Sequence, residues 1–333
     1  MLLDIYTHVY PQRYFDAMML HAPKLENMGK RLRSVKKLFD LDERFREMDD
    51  YGDYRQVISL PTPIEEIAAG PLGNELARIA NDGMAELCAA HPERFPAFVA
   101  AVSLHDVDAA VREAERALDC GARGVQIFTN IAGRPLDGGA YENVFALAAE
   151  RDLPIWLHPA RTASMPDYAS EERSRFEMWW CFGWPYETSV AMCRLVFNGV
   201  FDRYPKLKVI THHLGGMIPY FDGRVGSGME VLGARTSDED YGQILPGLRR
   251  PHLDYLRDFY ADTALFGGRH GLRCGLEFFG SAHVVFASDA PFGPIGNTRD
   301  RLLDLKLPQK DYEDIAFRNA ERLLGMTFSP KLT

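Results

Sequence analysis

The sequence predicts a (β/α)8 TIM barrel, a closed ring of eight parallel strands with helices around it. Short apolar runs rich in β-branched and aromatic residues alternate with longer segments of helical period over roughly 290 residues. Several of the strands are apolar throughout, as expected for a parallel sheet covered on both faces. A doubly wound open sheet is the structural rival, but no glycine-rich phosphate-binding sequence follows the first strand.

The predicted elements come in strand-then-helix order. The strands are expected at residues 2–9, 54–60, 97–104, 124–129, 154–158, 207–213, 259–264 and 283–288. The helices are expected at residues 74–91, 107–119, 141–151, 188–204, 267–279 and 311–325.

Two segments are longer than a barrel needs. They are insertions at 21–50 after strand one and 160–186 after strand five. Both follow the C-terminal end of a strand, which is the face where barrel enzymes carry their sites. We interpret them as lids or dimer arms. Because no Pro/Gly/Ser-rich linker, repeat or low-complexity tract interrupts the chain, residues 1–333 are expected to form a single domain.

Composition excludes several classes of function. The chain has 47 acidic and 38 basic residues, a net charge of −9, which argues against a nucleic-acid partner. No apolar run is long enough to span a membrane, and the first residues do not resemble a signal peptide. The five cysteines are scattered without a CxxC pair, so we expect reduced thiols in a cytoplasmic protein.

Polar side chains end four of the predicted strands and form a candidate metal site. They are Tyr6 and His8 on strand one, His158 on strand five, the doublet His212 and His213 on strand six, and Asp289 on strand eight. Imidazoles from three strands together with a carboxylate are a typical ligand set for Zn²⁺ or another divalent first-row metal. Each residue alone also fits a structural role, such as a satisfied core histidine or an Asp that caps a turn. Their joint position at strand ends favours the metal site.

The motifs around these residues resemble a known family. In order along the chain they read DIYTHVYP, WLHP, THHLGGMIPY and FASDAPFG, followed by a terminal NAERLLG helix. This series is similar to the amidohydrolase superfamily, specifically the branch that contains aminocarboxymuconate-semialdehyde decarboxylase and γ-resorcylate decarboxylase.

The resemblance implies roles for individual residues. His8, His158 and Asp289 match the metal ligands, and Asp289 would also hydrogen-bond substrate or water. His213 matches the histidine that performs acid/base chemistry in the decarboxylases. Arg224 matches an arginine that reaches the substrate carboxylate of a neighbouring subunit, which implies a homodimer; a solvated helix position is the alternative.

The first strand departs from the family pattern. The usual motif is His-x-His, or Glu-x-His in γ-resorcylate decarboxylase, whereas this chain has Tyr6-Thr7-His8. A neutral phenol is a poor ligand, so three interpretations remain open. The metal keeps three protein ligands plus water, Tyr6 binds as a phenolate, or the site is weak or empty. We expect the first, with the Tyr6 hydroxyl contacting substrate.

Three further expectations concern residues near the site. Period-two alternation predicts that His212 points away from His213, into the helix layer. Trp184, in the segment FGWPYETS before a helix starting near residue 188, is expected to wall a pocket for a flat acid or to pack at a subunit interface. Arg44 or Arg46 is expected either to pair with a substrate carboxylate or to lie on a solvated helix face.

Together with the candidate metal site, the resemblance implies a metal-dependent decarboxylase acting on a small aromatic or unsaturated carboxylic acid. One divalent ion, Zn²⁺ or alternatively Mn²⁺, would hold the substrate while His213, with Asp289, performs acid/base work. The same residues fit a hydrolase or hydratase that uses a metal-activated water on a lactone, amide or related compound. A metal-free binding protein is the third interpretation.

Overall fold

A computed structural model describes residues 1–22, 28–236 and 239–329. Eight parallel strands form its main sheet, in the order in which they occur along the chain. These barrel strands are β1 (Leu2–His8), β2 (Tyr54–Ser59), β3 (Ala97–Ala101), β4 (Ala122–Phe128), β7 (Pro154–His158), β8 (Lys208–Thr211), β9 (Tyr260–Asp262) and β10 (Val284–Val285). The short pair β5 (Asn130–Ile131) and β6 (Arg134–Pro135) forms a separate ladder.

Backbone hydrogen bonds join the end of the sheet to its beginning. Ile5 N donates to Phe286 O at 3.0 Å, and His8 N donates to Ala290 O at 2.7 Å. The last strand segment therefore meets β1, and the sheet forms a (β/α)8 barrel as the sequence predicted.

The helices surround the barrel. They are α1 (Gln12–His21), α2 (Gly29–Ser34), α3 (Leu41–Asp49), α4 (Gly70–Ala90), α5 (Val107–Asp119), α6 (Glu142–Glu150), α7 (Met178–Cys181), α8 (Gly183–Phe197), α9 (Val200–Arg203), α10 (Asp222–Val225), α11 (Ile244–Gly247), α12 (His252–Asp258), α13 (Arg269–Phe279), α14 (Ile295–Asp304), α15 (Gln309–Glu313) and α16 (Asn319–Leu324). Within the described ranges, no helix is both long and apolar enough to cross a membrane.

The barrel interior is a packed apolar core below the strand ends. Its buried cluster includes Leu3, Ile5, Val57, Val99, Trp156, Ile210 and Val285. The Trp156 indole donates to the Ile5 carbonyl at 2.9 Å, so its polar atom is satisfied inside the core. Leu323 and Leu324 of α16 pack into the same cluster. Side chains therefore fill the interior, and a site can form only at the polar ends of the strands.

Local backbone preferences explain where predicted and observed elements differ. Helix 107–119 is observed as predicted, and the Asp106 side chain caps it by accepting from Ala109 N at 3.0 Å. The predicted strand 207–213 ends at Thr211, because His213 and Leu214 adopt left-handed φ angles of 52° and 54°. The predicted helix 188–204 begins earlier, at Gly183, and is interrupted at Gly199, whose φ is 71°.

The two long connections carry additional helices. The segment from β1 to β2 contains α1, α2 and α3, and residues 23–27 of the predicted 21–50 insertion lie outside the described residues. The segment after β7 contains α7 and runs directly into α8. Both connections leave the C-terminal ends of their strands, on the side of the barrel where the polar residues meet.

Candidate metal and active site

Histidine and carboxylate groups from four strands converge at one end of the barrel. The Nε2 atom of His8 lies 3.1 Å from Asp289 Oδ1, and that of His212 lies 3.6 Å from the same oxygen. Candidate ligand atoms of His8, His158 and His212 lie within 4.8 Å of one another, as do those of His212, His213 and Asp289. The structure therefore brings together the residues predicted as metal ligands, and it adds His212 to them.

Three of the imidazoles are held through the same ring nitrogen. Nδ1 of His8 contacts Ser59 Oγ at 3.2 Å, and Nδ1 of His158 lies 2.8 Å from Pro159 O. Nδ1 of His212 bonds to the carboxylate of Asp262. Partners on Nδ1 fix the orientation of a ring and leave Nε2 available as a ligand, the usual arrangement around protein-bound metals.

The donor set fits a divalent cation. His212 Nε2 and His213 Nδ1 are buried and have no hydrogen-bond partner among the described residues. Leaving such atoms unpaired costs about 1–3 kcal/mol each, and a bound cation would provide a partner for them. Imidazole nitrogens together with one carboxylate suit zinc and related first-row ions.

Burial and mutual charge perturb every titratable group in the cluster. Burial lowers the pKa of His158 well below its usual value, and His212 and His8 lower it further. Burial and the nearby His212 lower the pKa of His213 to about 3. Burial alone would raise the pKa of Asp289, but the neighbouring imidazoles of His212 and His8 outweigh it and lower that pKa. Asp289 is therefore an ionised carboxylate with a negative charge available for a cation.

Asp289 is positioned by a tight turn after β10. Its φ is 64°, and its carbonyl accepts from Phe292 N at 2.9 Å and Gly293 N at 2.8 Å. A Cβ on Gly293 would lie 2.0 Å from Ser288 O, so only glycine fits this turn. The SDAPFG motif thus requires glycine at its last position, because a side chain there would prevent the chain from folding back beside the Asp289 carboxylate.

The predicted orientation of His212 is wrong. Ile210 lies in the barrel interior and Thr211 Oγ1 contacts Met192 of α8, so His212 follows the inward side of the alternation. His213 nevertheless reaches the site, because its left-handed backbone leaves the strand conformation. Both rings of the doublet face the cluster, with centroids 3.8 Å apart.

The turn after His213 docks against α8. Met217 N donates to Ser189 Oγ at 2.7 Å, and Ser189 Oγ donates to Pro185 O at 2.6 Å. Gly216 has a φ of 62°, and a Cβ there would lie 2.4 Å from Pro185 O. The motifs THHLGG and WPYETS, which are far apart in sequence, therefore form one structural unit beside the site.

Aromatic side chains from this region line a cavity next to His158. Trp184, Trp179 and Arg161 contribute to its wall. The Trp184 ring is nearly parallel to that of His213, with an interplanar angle of 14° and centroids 6.4 Å apart. Its indole donates to Arg161 O at 3.1 Å, and the Arg161 guanidinium pairs with Glu187 at 3.1 Å. Trp184 thus lies where a pocket wall was expected.

Tyr6 points into the barrel among the histidines, as predicted. Its ring stacks on that of His212, with centroids 4.1 Å apart and planes at 19°. Its hydroxyl is buried without a hydrogen-bond partner among the described residues. Burial, together with the charges of Asp262 and Asp289, raises the pKa of this phenol well above its usual value. Tyr6 is therefore a neutral phenol in this environment.

The arginines singled out in the sequence have different positions. Arg44 is 2% exposed and donates to the carbonyl of His8 at 2.6 Å and to Thr7 Oγ1 at 3.1 Å. Arg44 is thus a buried residue that hydrogen-bonds to β1, so both expectations for Arg44 are wrong. Arg46 lies on the exposed face of α3, and Arg224 lies exposed on α10 with its guanidinium over the Phe221 ring.

The sequence interpretation missed Asp262. This fully buried residue ends β9 and bonds to His212 Nδ1, while its other oxygen accepts from His213 N and Ala264 N, each at 3.0 Å. The available signal was an acidic residue near the end of the seventh apolar strand, next to a histidine pair on the sixth.

The sequence of this chain is similar to those of known decarboxylases. The chain is 31% identical over 304 residues to a γ-resorcylate decarboxylase of a Polaromonas species, covering 87% of this chain and 89% of the relative. It is 24% identical over 311 residues to the 2-amino-3-carboxymuconate-6-semialdehyde decarboxylase of Dictyostelium discoideum, covering 88% and 82%.

The fold of this chain also resembles solved structures of decarboxylases. The crystal structure of 5-carboxyvanillate decarboxylase from Sphingomonas paucimobilis superposes with a TM-score of 0.82 at 26% identity, covering 98% of this chain and 99% of that one. A dihydroxybenzoic acid decarboxylase from Polaromonas, solved with manganese and the inhibitor 2-nitroresorcinol, has a TM-score of 0.77 at 27% identity and covers 97% and 96%. The amidohydrolase family profile matches residues 4–326, and the chain therefore belongs to the amidohydrolase family.

Proposed function

We propose that this protein is a metal-dependent decarboxylase of a small aromatic or unsaturated carboxylic acid. The observation that carries the proposal is the convergence of His8, His158 and Asp289 beside a cavity walled by tryptophan rings. The similarity to decarboxylases of aromatic acids, over nearly the whole chain, supports the same reaction class.

In this proposal His8, His158 and Asp289 hold one divalent ion. Imidazole and carboxylate donors favour Zn²⁺, with Mn²⁺ as the alternative because a similar decarboxylase was solved with manganese. The ion would act as a Lewis acid and template for the substrate carboxylate and a neighbouring oxygen.

His213 is the proposed proton donor. Loss of CO₂ breaks a carbon–carbon bond and leaves its electron pair on the substrate carbon, which must then accept a proton. The centroid of the His213 ring lies 3.8 Å from that of His212 and 6.4 Å from that of Trp184, which also lines the cavity. Its low pKa leaves it neutral before an anionic substrate enters, and the substrate's negative charge favours its protonated form. Asp289 assists because its negative charge favours the protonated form of His213.

The cavity wall is suited to a flat acid. Trp184 offers an aromatic face close to His158, with centroids 5.9 Å apart, and Trp179 packs edge-on against it. Arg161, which is paired with Glu187, and Glu66 line the same cavity. A planar ring that stacks against Trp184 would place its carboxylate towards the histidines, while the Tyr6 hydroxyl, which lacks a partner, would donate to substrate.

Arg224 is proposed to act across a homodimer. Next to it, Tyr220 and Phe221 are 77% and 37% exposed, an apolar surface of the kind that subunit interfaces cover. Mixing the inactive variants Arg224→Ala and His213→Asn tests this role. Hybrid dimers would contain one site with both residues intact and regain activity, whereas a mixture that stays inactive would contradict the assignment.

We also propose a cytoplasmic location. All five cysteines are free, and they are distributed among half-buried and exposed positions without a partner for a disulfide. This pattern favours a reducing compartment.

A substrate screen tests the reaction class. Protein reconstituted with Zn²⁺ or Mn²⁺ is incubated with a panel of hydroxybenzoic and unsaturated carboxylic acids, and CO₂ and the organic product are measured, with His213→Asn as the matched control. We expect metal-dependent CO₂ release from at least one acid and its loss in the control. A product formed by addition of water would instead favour the hydrolase or hydratase, and a protein that binds no metal would favour a binding role.

A further inference from the structure

The position of Tyr6 leaves the metal centre one protein ligand short of the pattern that the motif resemblance implies. Tyr6 occupies the first position of the strand-one motif, and its ring is stacked on that of His212. The ligands that zinc and related ions usually take from proteins are thiolate, imidazole and carboxylate groups, and a phenol is not one of them. Position 6 therefore does not supply one of the usual ligands.

His212 is built like a metal ligand. It is fully buried, and the Asp262 carboxylate holds its Nδ1. Asp262 is itself fixed by the backbone N–H groups of His213 and Ala264. A carboxylate on the far nitrogen of an imidazole is the usual support for a metal-binding histidine. The Nε2 atom of His212 has no partner among the described residues and lies 3.6 Å from Asp289 Oδ1.

His212 is also the residue shared by the two groups of converging donors. One group consists of His212, His8 and His158, and the other consists of His212, His213 and Asp289. An ion placed among either set would therefore have His212 as a neighbour. The nearly parallel Tyr6 ring covers one face of His212, which hinders rotation of the imidazole about its Cβ–Cγ bond.

We propose that His212 is a fourth protein ligand of the metal centre, together with His8, His158 and Asp289. It replaces the ligand that position 6 does not supply, and Asp262 and Tyr6 are positioning residues for it. This inference rests on the proposed metal-dependent function, and it assigns the second histidine of the strand-six doublet, His213, to the substrate side.

Metal affinity of the stripped protein tests the assignment without any substrate. Zn²⁺ is titrated against a competing chromophoric chelator, and Co²⁺ is added separately to record its visible spectrum. We expect His212→Ala and His158→Ala to lose more than about 100-fold in affinity, and Asp262→Asn to lose about 10–100-fold, as partners of ligating histidines usually do. The Co²⁺ spectrum of His212→Ala should also shift, because one nitrogen donor is lost.

Two controls make the result specific. His283→Ala removes a histidine outside the cluster and should leave the affinity unchanged. In the double variant Tyr6→His/His212→Ala, a nitrogen donor returns to position 6, so affinity should rise above that of His212→Ala. A double variant with no gain would overturn the claim that His212 replaces a ligand at position 6.

The outcomes separate this inference from the proposed function. Wild-type affinity in His212→Ala together with a large loss in His158→Ala would overturn the role of His212 and leave the metal centre intact. Wild-type affinity in both variants would overturn the metal centre itself. Asp262→Asn keeps the imidazole in place, so it gives an independent answer if His212→Ala does not fold.

Discussion

The ring of Tyr6 lies against the ring of His212, with centroids 4.1 Å apart and an interplanar angle of 19°. This contact joins the first and sixth barrel strands at the level of the candidate metal centre. It also explains how the chain accommodates a phenol where the motif resemblance implies a metal-binding side chain. The phenol packs against the face of a histidine whose Nδ1 is bonded to Asp262.

The Tyr6 hydroxyl provides the first prediction. Because it is buried without a partner, Tyr6→Phe removes no hydrogen bond within the described structure and preserves the stacked ring. We expect unchanged Zn²⁺ affinity and reduced turnover, since the hydroxyl is free to donate to substrate. Full activity in Tyr6→Phe would reduce Tyr6 to a packing role, and a loss of affinity would instead identify a phenolate ligand.

His213→Asn tests the proton donor. Asparagine is smaller than histidine and does not donate a proton to carbon at neutral pH, so the rate should fall by about 10²–10⁴-fold. Metal content, measured by elemental analysis, should remain that of the wild type, because the proposed ligands are untouched. A variant that retains the wild-type rate would exclude His213 as the donor.

Asp4 predicts a pH-dependent component of stability. It is fully buried below the site, where Tyr54 and Ser288 donate to it, yet burial raises its pKa from 3.8 to about 7. The folded state therefore binds a proton more tightly than the unfolded state, and this stabilisation is complete below about pH 4 and is lost as pH rises through 7. A difference of about three pKa units corresponds to about 4 kcal/mol at most.

Chemical denaturation at a series of pH values measures this effect. Between pH 4 and 8 the free energy of unfolding should contain a decreasing component in the wild type that Asp4→Asn lacks. Identical pH profiles for the two proteins would show that the Asp4 carboxyl titrates normally.

Gly293→Ala tests the turn that carries Asp289. The added Cβ would lie 2.0 Å from Ser288 O, so the backbone must move and carry the carboxylate with it. We expect a loss of metal affinity and a lower melting temperature. Gly138→Ala is the matched control, because a Cβ there would meet only Pro135 O, at 3.7 Å. Equal behaviour of the two variants would mean that the turn does not position Asp289.

The sequence predicted the barrel and much of the site because strand periodicity and strand-end polarity are local signals. Tyr6, His8 and His158 lie towards the ends of β1 and β7, where alternation determines the direction of a side chain, and Asp289 follows β10 in a turn. The same rule failed for His212, because alternation allows either histidine of the doublet to point inward. The contact of Thr211 with Met192 of α8 shows which one does, and it is not visible in the sequence.

Long-range contacts account for the other differences. Asp262 is recognisable as part of the site only once β9 is placed beside His212. Arg44 was expected at a substrate carboxylate or on a solvated helix face, yet its guanidinium donates to the carbonyl of His8. Burial of an arginine depends on which backbone oxygens a fold leaves open, and a sequence pattern does not contain that information.

Reaction in D₂O tests the central claim most directly. The metal-loaded protein is incubated with an acid that it consumes, and the product is analysed by mass spectrometry. We predict a product that has lost the mass of CO₂ and carries one non-exchangeable deuterium at the vacated carbon, with no product after removal of the metal. A product that has gained the elements of water, or the same product from metal-stripped protein, would contradict the account.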